Sequence, residues 1–260
     1  MNILITGGNG YIARSLVSGL GDRYNITATT RTDFDITDSK QTSDWFRGRA
    51  FDAVIHTAIT GGSRLQADDS GVVEMNLRMH YNLLSNRDKF GKLISFGSGA
   101  EIFSPDTPYG LSKRVIANSV RQTSNWYSIR IFGVFDENEL PTRFIRGNIH
   151  RYLKNEPMRV HADKIMDFFY MKDLVSVVDG YLSTENPPKE VNCSYREKHS
   201  LKDIAAQINT LGEHRVPIQV EQGGMSFYCG EPLDMDVPLV GFRQGLIETF
   251  KALLNKETLE

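Results

Sequence analysis

The chain opens Ile3-Leu4-Ile5-Thr6-Gly7-Gly8-Asn9-Gly10-Tyr11-Ile12-Ala13. Apolar residues running into a glycine cluster read as a buried strand and a tight turn, and the residues after Gly10 read as a helix start. Gly7, Gly10 and Ala13 have G-x-x-G-x-x-A spacing. Glycines there let backbone N–H groups approach a pyrophosphate, and the helix beginning near Tyr11 turns its positive end toward it.

The same alternation continues. Strands are expected at Asn2–Thr6, Asn25–Thr30, Ala53–Thr57, Lys92–Phe96 and Tyr127–Phe132, with helices at Tyr11–Gly19, Ser39–Phe46, Val72–Leu84 and Tyr109–Arg121. Asp38 or Thr37 suits the cap of the second helix. This order predicts an α/β fold, a Rossmann-type doubly wound parallel sheet with helices on both faces. Ala53-Val54-Ile55 and Leu93-Ile94 suit strands covered on both sides.

The pattern loosens after about Gly133. Helices are expected at Phe144–Leu153, Lys172–Leu182, Ser200–Ile208 and Phe242–Leu254, and a short strand at Val191–Ser194. Ser200 followed by Asp203 is a capping signal. The expected organisation is a single domain over 1–260. Residues 1–133 with 160–195 form its dinucleotide-binding part, and 134–159 with 196–260 form a small C-terminal substrate-binding lobe.

Composition narrows the function classes. A formal net charge of −2 leaves no basic footprint for nucleic acid. No apolar run reaches membrane-spanning length. A first strand at residue 2 or 3 leaves no room for a cleavable signal, which favours the cytoplasm. Cys193 and Cys229 lack metal-ligand spacing and the six histidines are scattered, so no metal is expected.

Tyr109-Gly110-Leu111-Ser112-Lys113 adds chemistry. Residues i and i+4 share a helix face, so the phenol and the ammonium can project into one site. A free tyrosine has a pKa of about 10, and a neighbouring ammonium lowers it. Such a pair can pass a proton to or from a substrate oxygen. Beside a dinucleotide turn, it suggests an oxidoreductase.

The end of the second strand bears on the cofactor. An acidic residue there would hold the ribose of NAD. This chain has Thr29-Thr30-Arg31-Thr32, with no carboxylate before Asp33. Arg31 can pair with a 2′-phosphate, with Arg14 a possible helper, so NADP is expected and NAD is the second choice. Asp35 suits the adenine amino group or a turn, and Ile36 suits packing on the ring. Thr57 and Ala58 allow close backbone approach after the third strand, where His56 reads as a packed histidine.

These residues together resemble the extended short-chain dehydrogenase/reductase family, also called the NAD-dependent epimerase/dehydratase family, over about residues 1–210. Asp167-Phe168-Phe169-Tyr170-Met171-Lys172-Asp173-Leu174 is similar to its Arg-Asp-Phe-x-x-Val-x-Asp segment, with Met166 where the family often has a substrate-contacting Arg. Arg130-Ile131-Phe132-Gly133-Val134-Phe135 is similar to its Arg-x-x-Asn-Val-Tyr-Gly segment, and Val191-Asn192-Cys193-Ser194 to its Asn-x-Gly turn. The resemblance implies a nucleotide-sugar substrate and a homodimer built on the helices Val72–Leu84 and Tyr109–Arg121.

It also implies site residues. Ser98 joins Tyr109 and Lys113 as the catalytic set; if Phe103 takes the family's Tyr position, Gly99 falls on the Ser position instead. Asn9, Tyr11, Ile12 and Phe132 join Gly7, Gly10, Arg31, Asp35, Ile36, Thr57 and Ala58 around the cofactor. Asn76 supports the substrate site, and Arg143 and Arg159 are candidates for its phosphates, as is Arg146.

Departures indicate the branch. Dehydratases use an Asp-Glu pair where this chain has Gly99-Ala100 and then Glu101 alone, which argues against dehydration. Residues Arg31–Asp38 resemble the GDP-L-fucose synthase and dTDP-4-dehydrorhamnose reductase branches. The epimerising Cys and His of the former are replaced by Ala100 and by Asn138-Glu139-Leu140, although His150 or His161 could act from another segment. The expected activity is reduction of a 4-keto nucleotide-diphosphate sugar. The alternatives are a C4 epimerase with retained NAD and a non-catalytic dinucleotide-binding scaffold or sensor.

Overall fold

In β1 (Asn2–Thr6), every residue after the first is buried, as a strand covered on both faces requires. The computed structural model describes residues 1–63 and 67–257. After β1 come α1 (Tyr11–Leu20), β2 (Asn25–Thr29), α2 (Ser39–Phe46), β3 (Phe51–His56), α3 (Gly71–Ser85), β4 (Phe90–Ser98), α4 (Ala100–Phe103), α5 (Pro108–Gln122) and β5 (Trp126–Ile131). Then follow β6 (Val134–Phe135), α6 (Phe144–Leu153), β7 (Met158–Ala162), β8 (Ile165–Met166), β9 (Phe169–Tyr170), α7 (Met171–Ser183) and β10 (Glu190–Cys193). The chain finishes with α8 (Leu201–Ile208), β11 (Ile218–Gln222), β12 (Phe227–Tyr228) and α9 (Phe242–Glu257).

Six strands form one sheet in the order β10-β5-β4-β3-β1-β2. β1 pairs in parallel with β2 and β3, and β3 with β4. The chain leaves β1 toward one sheet edge and returns to its other side for β3. That reversal opens a crevice at the C-terminal end of β1, the usual ligand position in such sheets. The doubly wound α/β architecture expected from the sequence is the one the chain adopts. Asp38 is the α2 cap, accepting from Gln41 N–H at 2.8 Å.

The chain divides into two compact units, residues 1–130 with 177–191 and residues 131–176 with 192–260. The expected division grouped 160–176 with the sheet; by contacts those residues belong to the second unit. The first unit holds a core in which Leu4, Val54 and Leu93 from the strands meet Phe46, Leu83 and Ile116 from α2, α3 and α5. The second has its own core, built on Ile149, Tyr152, Val160, Ile204, Leu246 and Phe250. There β7 pairs in parallel with β11, β8 with β12 and β6 with β9. Ser200 and Asp203 close the capping box foreseen for α8. Among the described residues no helix is long and apolar enough to cross a membrane.

Candidate active site

The first unit carries a cavity of about 360 Å³ at the switch point, within the range of small-molecule sites. Its polar end is the turn after β1. Gly7 has φ +72°, and a Cβ there would lie 2.8 Å from Ala58 Cα and 2.9 Å from Ala58 N. Only glycine meets both demands, the left-handed backbone and the close approach of the loop after β3. The Gly10 N–H closes the turn on the Gly7 carbonyl at 2.8 Å. Gly10 caps α1 without a side chain, so no capping side chain competes with an anion for the helix's positive end. Phe34, Ile36 and Met79 add apolar wall to the same cavity. A glycine cradle and apolar wall in one cavity fit a dinucleotide.

Gly7, Asn9, Gly10, Arg31, Ile36, Thr57 and Ala58 line this cavity. Tyr11 and Ile12 lie in the first turn of α1, half-buried and beyond the lining residues. Asp35 also stands off the wall: its Oδ1 accepts from Thr37 N–H at 2.9 Å and from Thr37 Oγ1 at 2.8 Å. Those bonds hold its carboxyl below the usual carboxylate range. The turn, one of its two sequence readings, is formed. Asp33 is likewise folded back, accepting from the Thr30 N–H at 2.8 Å and from Thr30 Oγ1 at 3.0 Å. The carboxylate nearest the end of β2 is thus spent on the backbone, while Arg31 is at the cavity wall.

His56 is a packing residue. Its Nδ1 lies 2.8 Å from Thr6 Oγ1, and burial pushes its pKa down to about 3, so the ring is neutral near pH 7. Thr57 Oγ1 donates to the Thr6 carbonyl at 2.6 Å, stitching β3 to the glycine turn.

Helix α5 starts where its sequence says it should. Thr107 is the N-cap, accepting from the Gly110 N–H at 3.2 Å, and Pro108 occupies the first turn. Tyr109 and Lys113 then fall on one face, with Nζ 5.7 Å from the Tyr109 ring centroid. Lys113 is buried and donates to the Phe96 carbonyl at 2.6 Å. Desolvation pushes its pKa down to about 8, against the opposing pull of the Glu101 carboxylate.

Asn76 is a tie between elements. Its Oδ1 accepts from Thr60 N–H at 2.9 Å, and its Nδ2 donates to the Thr60 carbonyl at 3.0 Å and to Ser112 Oγ at 3.0 Å. Ser112 in turn donates to the Tyr109 carbonyl at 2.8 Å. With both N–H groups committed, Asn76 fixes the loop after β3 against α5. Gly62 of that loop, at φ +73°, lies so close to the Tyr109 ring that a Cβ would stand 2.8 Å from Cζ.

Ser98 ends β4. Its Oγ accepts from the Ala100 N–H at 3.2 Å, which leaves its own hydrogen for an acceptor outside. Gly99, the alternative position, has no side-chain donor. Ser95 is buried in the strand.

Glu101 is the residue whose place sequence reasoning missed. Its side chain is 4% exposed and paired with Arg130 at 3.2 Å. It also accepts from the Ser98 N–H at 2.7 Å.

The second unit holds the remaining candidates. Phe132 is buried, its ring centroid 5.8 Å from that of Tyr228. Arg143 is the half-buried N-cap of α6, and Arg159 is exposed on β7. Arg146 Nε faces His150 Nε2 at 3.2 Å. His161 is ion-paired with Glu221 at 2.7 Å on the surface. Met166 is 3% exposed in this unit's core, so the position is apolar by packing. The acidic residues of the 167–173 segment act as clasps. Asp167 pairs with Lys198 at 2.9 Å. Asp173 accepts from the Tyr195 hydroxyl and from the Val240 and Gly241 N–H groups. Among the described residues no cluster of His, Cys, Asp or Glu could hold a metal ion.

The chain is similar to CDP-abequose synthase of Yersinia pseudotuberculosis, 23% identical over 250 residues, covering 84% of this chain and 87% of that protein. Its fold is similar to that of the Bordetella bronchiseptica enzyme WbmG, solved with NAD and UDP. The TM-score is 0.81 at 17% identity, covering 98% of this chain and 95% of that one. It is also similar in fold to the Campylobacter jejuni GDP-mannoheptose C4 reductase, solved with NADP. There the TM-score is 0.72 at 15% identity, covering 96% of this chain and 97% of that one. The sequence profile of the NAD dependent epimerase/dehydratase family matches residues 3–194. With nearly three quarters of its length inside that match and a Gly7 turn that only glycine can form, the chain belongs to the NAD-dependent epimerase/dehydratase family.

Proposed function

We propose that this chain is an NADPH-dependent reductase of a 4-keto nucleotide-diphosphate sugar. The observation that carries the reading is the buried Lys113 ammonium beside the Tyr109 ring, in the unit that holds the glycine-lined cavity. When bound, the dinucleotide supplies the reducing equivalent to the carbonyl carbon. The Tyr109 hydroxyl donates the proton to the carbonyl oxygen, and the Ser98 hydroxyl donates a hydrogen bond to it. Donors aimed at the oxygen where charge develops lower the barrier most. Lys113 stabilises the phenolate left on Tyr109. Glu101, engaged with Arg130 and the Ser98 backbone, does not act as a free acid or base, which favours reduction over dehydration. Arg31 at the cavity wall, with Asp33 turned away, supports NADPH over NADH. The names of the Yersinia synthase and the Campylobacter reductase agree with a nucleotide-sugar substrate. Arg143 and Arg159 are the proposed phosphate contacts in the second unit. A homodimer through α3 and α5, and a cytoplasmic setting, belong to the same proposal.

NADPH oxidation across a panel of 4-keto CDP-, GDP- and dTDP-sugars tests it. Tyr109→Phe should lower kcat by at least about 100-fold while leaving NADPH affinity within roughly threefold, and Arg31→Gln should weaken NADPH about 10- to 100-fold with little effect on NADH. Turnover without net NADPH consumption would replace the reading by epimerisation. Dinucleotide binding with no turnover on any sugar would replace it by a scaffold or sensor.

A further inference from the structure

The chain leaves β4 through Phe96-Gly97-Ser98, and two buried charges hold it there. Lys113 Nζ donates to the Phe96 carbonyl at 2.6 Å. The Ser98 N–H donates to Glu101 Oε1 at 2.7 Å. The two bonds flank Gly97. A Cβ at Gly97 would overlap Glu101 Oε1 and stand 3.0 Å from Ser128 Oγ, so the missing side chain makes the space for the carboxylate.

Behind it the charges continue. Glu101 Oε2 accepts from Arg130 Nη2 at 3.2 Å, and the same nitrogen donates to Glu190 Oε1 at 2.7 Å. The Arg130 side chain is 9% exposed. Glu190 is only partly buried and also faces Arg121 Nε at 3.8 Å, so Glu101 is the deeply buried carboxylate of the group, 4% exposed against Arg130 and on the Lys113 side of it.

We propose that Glu101 is a positioning residue for the reductase reaction: its carboxylate fixes the Ser98 backbone and supplies the counter-charge that keeps the buried Lys113 ammonium protonated. The proposal rests on the reductase reading and deepens it. A carboxylate engaged on both oxygens and 4% exposed has no path to a substrate proton, so its work is done through Ser98 and Lys113. Among the described residues, the titratable groups whose fields bear on Lys113 are Tyr109 of its own helix, His56 of β3, His80 of α3 and Glu101 of α4. Burial keeps both histidines neutral near pH 7. Glu101 is the anion that opposes desolvation of Lys113.

Two full-length variants separate the roles. Glu101→Gln removes the charge; Glu101→Asp keeps it but withdraws it from the Ser98 N–H by one methylene. Both are read by kcat and KM for the reduction, and by NADPH affinity titrated from about pH 6 to 10, the range over which a desolvated lysine titrates. Glu101→Gln is expected to lower kcat about 10- to 100-fold with KM within roughly threefold. Its alkaline loss of NADPH affinity should move to lower pH by at least about half a unit. Glu101→Asp should also lose kcat, but keep the wild-type alkaline midpoint. Wild-type kcat in either variant overturns the positioning role, and an unmoved midpoint in Glu101→Gln overturns the counter-charge role. Should Glu101→Gln not fold, kcat of Glu101→Asp decides. The binding titration needs no turnover. A wild type that binds NADPH but reduces no sugar sinks the reductase reading, and the midpoint shift still judges Glu101.

Discussion

Gly110→Ala sets two physical effects of opposite sign against each other. Gly110 lies in the first turn of α5, where alanine in place of glycine ordinarily stabilises a helix by about 0.5–1 kcal/mol. Here a Cβ would lie 2.8 Å from the Ala100 carbonyl oxygen and nearer still to that of Ser104. Both obstacles are backbone and cannot rotate aside, so α5 must back away from α4 by several tenths of an ångström or more. Overpacking of this kind costs about 1–3 kcal/mol. An overlap this deep with backbone belongs in the upper part of that range, about 2–3 kcal/mol, and subtracting the helix gain leaves a net loss of about 1–2.5 kcal/mol. At about 2–4 °C per kcal/mol for a chain of this length, the melting temperature should fall by about 2–10 °C instead of rising. The catalytic effect should be larger. Tyr109 and Lys113 ride on the same helix, and a displacement of about 1 Å at a reacting group can cost about 100-fold in rate. Melts followed by circular dichroism, with NADPH-dependent reduction measured on the same preparations, check both. A raised melting temperature with unchanged kcat would refute the reasoning, because it would mean that α5 has room to spare over α4.

Acid should weaken the fold through its buried histidines. His80 has its Nε2 2.8 Å from Ser119 Oγ, and burial depresses its pKa to about 4. It is neutral in the fold, while the unfolded chain binds its proton below about pH 6.5. Stability is therefore intact above about pH 6.5 and falls as pH drops toward 4, by roughly 3 kcal/mol for this group. His80→Gln should flatten that limb in urea titrations at neutral and acid pH; an unchanged difference between the two would count against the assignment. In the second unit, Asp173→Asn should cost about 2–3 kcal/mol, since an amide N–H₂ would face donors now satisfied by a fully buried carboxylate. A melting temperature within about 1 °C of wild type would contradict that ledger.

The central sheet was legible because its strands are local and unbroken. Ala53-Val54-Ile55 and Leu93-Ile94 sit fully buried in β3 and β4, and Thr107-Pro108 marks the start of α5. The family, too, was readable from the motifs that carry it. The second unit was harder. Strands β6, β8, β9 and β12 are two residues long, too short for alternation to register. The pairing of β7 with β11 joins segments far apart in sequence. In the candidate site, the glycine turn, Arg31 and the α5 pair could be proposed from spacing alone. Glu101 could not be placed, since its partner Arg130 is supplied by a distant strand. Asp35 carried two readings, an acceptor for the adenine amino group and a turn former, because one carboxylate can serve either; the coordinates add the Thr37 bonds of the turn.

The two units are interleaved along the chain: residues 177–191 return to the first after 131–176 have built part of the second. A graft of the second unit from another family member therefore needs three junctions, after 130, 176 and 191, not one. Truncation at 130 would leave the sheet without β10, which flanks β5 at its edge. Recombination at a single crossover near 130 would then seat β10 of one parent against β5 of the other, so exchange of substrate preference between such enzymes should proceed by point substitution more readily than by fusion.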